Sequence, residues 1–168
     1  AVILAAGGFE HNQEMREQYL PRPTDHRWSA GTKDNTGDAI REGLRLGAKM
    51  HRLDEAWWCN TISVPGEEIP RLSIMEKSYP GSIMVNPAGQ RFSNESQNYM
   101  AFQQETFAKH TDVNPCNPTW QVFDAKVKHM QRDEYRIRQV TKVTANTIEE
   151  FAEKLEGVNA EQFLKTIA

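Results

Sequence analysis

The sequence predicts an α/β fold that runs into an α+β segment, and three features support this prediction. The apolar run from Val2 to Ala6, followed by two glycines, has the character of a strand covered on both faces, as in a parallel sheet. A helix with glycines on one face comes next. The second half then gives a hairpin, a strand and two capped helices. The predicted order is therefore strand, helix, hairpin, strand, helix, helix.

The composition excludes several classes of protein. With 168 residues, of which 38% are hydrophobic and 26% charged, the chain has the length of one ordinary domain and the composition of a globular protein. Its formal net charge of -3 gives no reason to expect a nucleic-acid partner. No apolar run approaches the roughly 20 residues that cross a bilayer, and no secretory leader is visible. We therefore expect a cytoplasmic protein without a membrane span.

Neither the cysteines nor the histidines form a recognisable ligand set. Cys59 and Cys116 lie far apart and in no CxxC spacing, which argues against a disulfide framework and a zinc knuckle. The histidines are separated by irregular gaps, and none has a second ligand at helical spacing. We expect no metal site.

Both ends of the chain suggest a piece of a larger protein. A buried parallel strand at Val2 to Ala6 would need neighbouring strands, and none precedes it in this sequence. At the other end, a helix that begins at Asn159 still presents Phe163 and Ile167 when the sequence stops. We expect an internal fragment. The alternative is a complete small domain with tight ends.

The first half predicts one loop and one unusual helix. Residues 10–34 are polar and interrupted by prolines, which favours a connecting loop with a helical turn around Gln13 to Tyr19. A helix follows that Asn35 or Thr36 can cap, and its glycines share one face. Because an interior glycine costs a helix about 1 kcal/mol relative to alanine, this face predicts the close approach of a strand or a ligand. The alternative is a helix that is merely weakened by glycine.

The second half predicts a small sheet and two helices. Ser82 to Phe92 has the pattern of a hairpin with its turn at Asn86 to Gly89, and Trp120 to Asp124 has the pattern of a strand. We expect these strands to pair in one sheet, since each alone has too few neighbours. A mixed helical stretch is predicted to reach about Arg138. Capping motifs at Thr147 and Asn159 predict the last two helices.

Three stretches in one order carry a family resemblance. They are VILAAGGF at 2–9, NTGDAIREGLRLGA at 35–48 and SIMVNPAGQRFSNE at 82–95. Together they resemble the fumarate reductase and succinate dehydrogenase flavoprotein family, which also contains the 3-ketosteroid dehydrogenases. The stretches TWQVFDAKV and FQQETFAKH look most like the tricarballylate dehydrogenase branch.

The resemblance implies a fold and a domain organisation. Residues 1–75 would be part of a Rossmann-like FAD-binding domain with its connection, and residues 76–168 part of a capping, substrate-binding domain. The GxGxxG turn that holds the FAD pyrophosphate would lie upstream of this sequence. FAD is therefore expected in the full-length protein, and we expect the isolated chain not to hold it.

The resemblance also implies cofactor-binding positions. In the AAGGF segment, glycines would let the backbone approach the flavin cofactor closely. The NTGDA segment would place backbone N–H groups near the flavin at the start of the glycine-faced helix. The implied cofactor residues are Ala6, Gly7, Gly8, Thr36, Gly37 and Asp38. Asp38 has the alternative of serving only as a helix N-terminal charge.

The implied proton-handling residues are Glu76, Tyr79 and Tyr99. The segment Glu76 to Tyr79 is similar to the Glu-x-x-Arg proton-path motif of fumarate reductases, with tyrosine in place of the arginine. Tyr99, four residues after Glu95, stands where those enzymes have the arginine that serves as the acid. Two arginines are thus replaced by tyrosines, which disfavours a strict fumarate reductase. The tyrosine at the second position, Tyr99, is similar to the steroid dehydrogenases, in which a tyrosinate removes a proton adjacent to a ketone. The alternative is that both tyrosines only pack in the domain interface.

The implied reaction adds or removes two hydrogens across a C–C bond next to a carboxylate or carbonyl, as in a tricarballylate dehydrogenase. The substrate would be a small-molecule carboxylate or ketone, and the sequence does not indicate the electron acceptor. A tyrosine base needs a nearby cation or donor because free tyrosine titrates near pKa 10, and Lys77 and Arg91 are candidates. The alternatives are a 3-ketosteroid dehydrogenase-like flavoenzyme, a non-catalytic binding module and a flavin-independent α/β protein.

Overall fold

The computed structural model describes residues 2–127 and 143–168, which form two compact units. The first unit comprises residues 1–57 and 61–72, and the second comprises residues 58–60 and 73–168. The helical stretch predicted to reach about Arg138 lies mostly outside the described residues. No helix in the described ranges is both long enough and apolar enough to cross a bilayer.

The first unit consists mainly of loops that connect short elements. Helix α1 spans Gln13–Tyr19, as predicted, and the side chain of Asn12 caps it by accepting a hydrogen bond from the Met15 amide. A 3-10 turn spans His26–Trp28. Helix α2 spans Asp38–Arg45, and the strands β1 (Thr61–Ile62) and β2 (Arg71–Leu72) pair antiparallel.

The predicted parallel strand at Val2 to Ala6 is not formed. These residues have no assigned strand structure, and the side chains of Val2 and Ile3 are 88% and 89% exposed. Both sheets found in the described residues are two-stranded and antiparallel. An apolar run becomes a buried strand only when other strands bond its backbone and a second layer covers it, and the described part of the chain supplies neither.

Two expectations about helix α2 are wrong. Its N-cap is Gly37, at φ 83°, and no side chain of Asn35 or Thr36 caps it. Gly47 lies beyond the C-terminal end of the helix at φ 79°, so only Gly43 is in the helix interior. The space beside Gly43 is filled by the Met50 side chain, to which an added Cβ would come within 2.7 Å.

The second unit is built on strands β3 (Ser82–Val85) and β4 (Trp120–Phe123), which pair antiparallel with Val85 opposite Trp120. This confirms the predicted sheet. The hairpin turn is also confirmed, since the Gly89 amide donates to the Asn86 carbonyl at 2.9 Å and Val85 bridges to Arg91.

Three helices complete this unit: α3 (Tyr99–Lys109), α4 (Ile148–Lys154) and α5 (Ala160–Ile167). Thr147 caps α4 by accepting from the Glu150 amide, and Asn159 caps α5 by accepting from the Gln162 amide, as predicted. The sequence left α3 undecided because its polar and aromatic residues form no clear apolar stripe.

The side chains of strand β3 alternate between two core clusters. Val85 belongs to one cluster with residues of α4 and α5, and Met84 belongs to the other with Phe102 of α3. Because neighbouring residues of a strand point to opposite faces, helices cover both faces of this small sheet. Tyr99, at the start of helix α3, therefore belongs to a helix that packs on this sheet.

Candidate functional site

The first unit brings the two predicted cofactor segments side by side. The Gly37 amide donates a 2.9 Å hydrogen bond to the Gly8 carbonyl. The side-chain amide of Asn12 donates to the Thr36 carbonyl at 3.0 Å. Residues separated by almost thirty positions thus form one loop pair at the start of helix α2.

Glycine is required at two positions of this loop pair. Gly7 and Gly37 have φ angles of 75° and 83°, which disfavour residues with a Cβ. A Cβ on Gly37 would overlap the Met15 sulfur and lie 3.0 Å from Cβ of Phe9. A Cβ on Gly7 would overlap the Asn35 side-chain oxygen. The glycines therefore let the two segments of the chain approach each other closely.

The expected N–H groups of the NTGDA segment are engaged within the chain. The Thr36 amide donates to the Asp34 carbonyl at 2.9 Å, and the Gly37 amide donates to Gly8. These two N–H groups are therefore used within the chain. The tight turn before the helix takes the Thr36 donor, and the contact with the first segment takes the Gly37 donor.

Asp38 lies at the first position of helix α2. Its carboxylate accepts hydrogen bonds from the guanidinium of Arg41 and, at 3.2 Å, from the Thr36 hydroxyl. The Arg41 bond, followed by the Thr36 bond, lowers the pKa of Asp38. A carboxylate at a helix N-terminus also interacts favourably with the helix dipole. This arrangement accounts for Asp38 as a helix charge and leaves it exposed.

Part of the loop pair is exposed as bare backbone. Ala6 and Gly7 are exposed and have almost no side chain, and the second segment contributes the hydroxyl of Thr36 and the exposed carboxylate of Asp38. Backbone without side chains lets a ligand approach closely, and a carboxylate can accept hydrogen bonds from the hydroxyl groups of a ligand. The residues present therefore fit the predicted cofactor.

The second unit holds the three predicted proton-handling residues. Glu76 opens a 3-10 turn, Glu76–Ser78, and its side chain is 1% exposed. The Gln121 side chain of strand β4 donates to the Glu76 carbonyl at 2.5 Å and to the Ser82 hydroxyl at 2.9 Å. Sheet and turn are thus bonded to each other directly.

Tyr79 and Tyr99 occupy different surroundings. Tyr79 ends the 3-10 turn, is partly buried and packs with Phe123 against Val127. Tyr99 is the first residue of helix α3, also partly buried, and follows Asn98, whose side chain caps the helix by accepting from the Ala101 amide at 2.9 Å. Tyr79 therefore packs against apolar residues of its own unit.

Lys77 and Glu95 make contacts in this region that the sequence did not indicate. Nζ of Lys77 donates to the carbonyls of Glu95 and Gln97, at 2.7 and 2.6 Å, and to the Ser78 hydroxyl at 3.0 Å. The buried Glu95 carboxylate accepts from the Met84 amide at 2.8 Å. No sequence motif marks the contacts between segments, because their residues are 11 to 20 positions apart.

The contacts of Arg91 do not support the prediction that this residue stabilises a tyrosinate. Its guanidinium lies 2.6 Å from the Glu95 carboxylate, and this ion pair raises the pKa of Arg91. Lys77 has all three N–H donors in the bonds given above, so it cannot also donate to a tyrosine oxygen. Both cations therefore act on the loop before Tyr99.

An open pocket of about 490 Å³ lies beside the Asn86–Gly89 hairpin turn and is lined by Arg91, Lys109 and Cys116 among others. Its two cations are paired with Glu95 and Glu105. Of the predicted residues, only the candidate cation Arg91 lines it, and none of the predicted cofactor or proton-handling residues does. Cys116 and Cys59 are free thiols, and burial raises the pKa of each.

Comparison with known proteins decides which family this arrangement represents. The family model described as FAD binding domain matches residues 1–167. The chain belongs to this FAD-binding-domain family. The family match confirms the predicted flavoprotein resemblance and makes FAD the cofactor of the full-length protein.

Two curated relatives of this FAD-binding-domain chain are dehydrogenases by name. It is 39% identical over 131 residues to the 3-oxosteroid 1-dehydrogenase of Mycobacterium tuberculosis, covering 76% of this chain and 23% of the relative. It is 34% identical over 180 residues to the 4-oxocyclohexanecarboxylate 2-dehydrogenase of Sinomonas cyclohexanicum, covering 99% of this chain and 30% of the relative. The chain thus spans less than a third of either relative.

A solved structure shares the fold of the chain. The 3-ketosteroid delta1-dehydrogenase of Sterolibacterium denitrificans, in complex with 1,4-androstadiene-3,17-dione, matches 98% of this chain with a TM-score of 0.84 and 38% identity. The matched region is 31% of that protein. These three matches give no support to the tricarballylate branch.

Proposed function

We propose that the full-length protein is an FAD-dependent dehydrogenase that removes two hydrogens from the C–C bond next to a ring ketone. The observation that carries this proposal is the likeness to the Sterolibacterium enzyme, whose ligand is a steroid dione. The two curated relatives also have an oxo group on a ring in the name of their substrate. A ring ketone is therefore better supported as substrate than the carboxylate tricarballylate.

The loop pair of the first unit is our candidate for the cofactor side. The proposed residues are Ala6, Gly7, Gly8, Thr36, Gly37 and Asp38. The exposed backbone at Ala6 and Gly7 supports close approach, and the Gly8–Gly37 hydrogen bond fixes the two segments. When bound, FAD would supply the acceptor for a hydride from the substrate carbon. Asp38 and Thr36 would orient hydroxyl groups of the cofactor.

Tyr99 is our candidate for the proton. After its own hydroxyl proton has passed to the proton path, the Tyr99 phenolate would take the proton from the carbon next to the ketone while the hydride leaves the neighbouring carbon, so that a C=C bond forms. The partly buried position of Tyr99 at the capped start of α3 supports a fixed hydroxyl. Glu76 and Tyr79 are the proposed further members of the proton path, and the burial of Glu76 supports a route through the protein interior.

We infer the same two-domain organisation that the resemblance implies. Residues 1–75 would contribute to the FAD-binding domain, and residues 76–168 to the capping domain that binds substrate. The change of unit after Leu72 supports a boundary near this position.

The test is a substrate comparison with the purified full-length protein. A 3-oxosteroid, a monocyclic ring ketone and tricarballylate are each supplied with an artificial dye that reoxidises the flavin. We expect dye reduction with at least one ring ketone and a product that has lost two hydrogen atoms. Turnover of tricarballylate alone would reject the ring-ketone proposal and restore the tricarballylate branch.

A further inference from the structure

We propose that Lys77 is a positioning residue that fixes Tyr99 relative to the Glu76–Ser78 turn. The inference rests on the proposed function, because it presupposes that Tyr99 moves the proton. Nothing in the sequence motifs assigns this role to Lys77. The geometry around its ammonium group points to it.

Lys77 bonds two carbonyls of the loop that leads into helix α3. Its side chain is 2% exposed, and Nζ lies 2.7 Å from the Glu95 carbonyl oxygen and 2.6 Å from that of Gln97. The third N–H donates to the hydroxyl of the adjacent Ser78, which itself donates to the Glu95 carbonyl at 2.9 Å. Gln97 is two residues before Tyr99, so these bonds fix the backbone immediately before the tyrosine.

A buried ammonium group is costly unless every donor is bonded. Burial lowers the pKa of Lys77, and the charge of Glu95 opposes this only in part. The centroid of the Phe102 ring lies 5.3 Å from Nζ and gives the ammonium group a cation–π contact. An apolar side chain of similar length would fill the same space without this cost. Lysine therefore adds directional bonds to the two loop carbonyls, which an apolar residue cannot make.

The same loop is held from its other side by helix α3. The Glu105 carboxylate accepts hydrogen bonds from the Ser93 hydroxyl and, at 2.7 Å, from the Gln97 side chain. These bonds attach the loop to the helix that Tyr99 begins. The three Lys77 bonds, together with the bond from the Ser78 hydroxyl to the Glu95 carbonyl, join this loop to the Glu76–Ser78 turn. The turn is itself bonded to Gln121 of strand β4. Lys77 thus contributes directly to the spacing between the two proton-handling segments, and among these bonds it alone reaches the Gln97 carbonyl.

Loss of these bonds should affect turnover more than binding. A misplacement of about 1 Å in a reacting group costs on the order of 100-fold in rate. The Lys77→Met variant keeps the length of the side chain and removes its donors. In the full-length, FAD-loaded protein we expect kcat to fall about 10- to 100-fold, with KM and the flavin absorption spectrum unchanged.

A double-mutant cycle separates positioning from a general loss of stability. Turnover is measured for wild type, Lys77→Met, Tyr99→Phe and the double variant. If Lys77 acts through Tyr99, its replacement should cost little in the Tyr99→Phe background, so the two effects are not additive. Lys154→Met is the matched control, because Lys154 also donates to a backbone carbonyl, that of Thr144, and is exposed on α4. It should leave kcat unchanged.

Each result of this cycle is decisive. Wild-type kcat in Lys77→Met, or additive effects in the double variant, would overturn the inference. Should Lys77→Met fail to fold, the same cycle is run with Lys77→Arg, whose guanidinium reaches two carbonyls with an altered spacing. A wild-type protein without ring-ketone turnover, or a fully active Tyr99→Phe variant, would instead reject the proposed function.

Discussion

The amide of Asn159 donates a 2.9 Å hydrogen bond to the carbonyl of Pro87 and so joins the last helix to the hairpin turn. A second bond, from the Thr166 hydroxyl to the Gly89 carbonyl at 2.7 Å, reinforces this contact. Turn and helix are more than seventy residues apart in sequence. Their contact leaves no room for a side chain at Gly89.

Gly89→Ala should therefore destabilise the second unit. A Cβ there would lie 2.5 Å from the Asn159 carbonyl oxygen and 2.6 Å from the Phe163 amide, and the φ of 75° is itself unfavourable for alanine. Because backbone atoms cannot move aside, we expect a loss of about 2–4 kcal/mol in the free energy of unfolding. The measurement is denaturant unfolding of the full-length protein.

Gly157→Ala is the matched control for this substitution. Gly157 has a φ of 76°, and no heavy atom of the described chain lies within 4 Å of its added Cβ, leaving out its chain neighbours. Only the backbone cost of about 1 kcal/mol should appear. Equal losses for the two variants would show that the turn–helix contact does not restrict Gly89.

Gly37→Ala tests the loop pair proposed for the cofactor. The added Cβ would overlap the Met15 sulfur at a φ of 83°, so the Gly8–Gly37 bond should break and FAD occupancy of the purified full-length protein should fall several-fold. Flavin absorbance per protein gives the measurement. Gly66→Ala, at φ 85° with open space around it in the described chain, should retain its flavin.

Tyr99→Phe tests the proposed proton transfer. Removal of the hydroxyl changes the shape of the side chain little, whereas general acid–base catalysis typically contributes 10²–10⁴-fold. We expect a decrease of that order in kcat on the best ring ketone, with FAD still bound and the unfolding temperature unchanged. Wild-type turnover in this variant, combined with inactive Tyr79→Phe or Glu76→Gln, would place the proton elsewhere.

Glu105 should make stability depend on pH. Hydrogen bonds from Lys109, Ser93 and Gln97 lower the pKa of Glu105 from 4.5 to about 2. The folded state thus favours the charged carboxylate, and the stability it contributes above pH 4.5 is lost as the pH falls toward 2. After solvent screening the effect is less than about 1 kcal/mol.

The measurement compares wild type with Glu105→Gln in denaturant unfolding at several pH values. The difference in stability between the two proteins should shrink from pH 6 to pH 3. Glu153→Gln, at an exposed position of α4, should stay within about 0.5 kcal/mol of wild type. A difference between wild type and Glu105→Gln that is independent of pH would contradict the assigned hydrogen bonds.

Local signals predicted the second unit well. The turn at Asn86 to Gly89 and the caps at Thr147 and Asn159 are each set by side chains within four residues of one another, and all three are confirmed. The pairing of strands β3 and β4 followed from two apolar strands that each lacked neighbours. Helix α3 was left undecided because its polar and aromatic residues show no clear apolar stripe, and its burial depends on the sheet beneath it.

The predicted site residues fall into two groups in the structure. The six cofactor candidates meet through the Gly8–Gly37 bond, and Glu76, Tyr79 and Tyr99 lie in the second unit. Their identity came from motif resemblance, and their roles remain proposals. The burial of Lys77 and the pairing of Arg91 with Glu95 were not predictable, since a charged residue that bonds inside the protein has the same sequence signal as one exposed to solvent.

The sequence by itself determined the family, the hairpin with its partner strand and the capped helices, because motifs, turns and caps act over a few residues. Only the tertiary structure decided that the N–H groups of Thr36 and Gly37 are used within the chain and that Val2 to Ala6 has no partner strand among the described residues. It also decided that Lys77 bonds the loop before Tyr99. These outcomes depend on which distant backbone groups lie within hydrogen-bonding distance, and that is fixed only when the chain has packed.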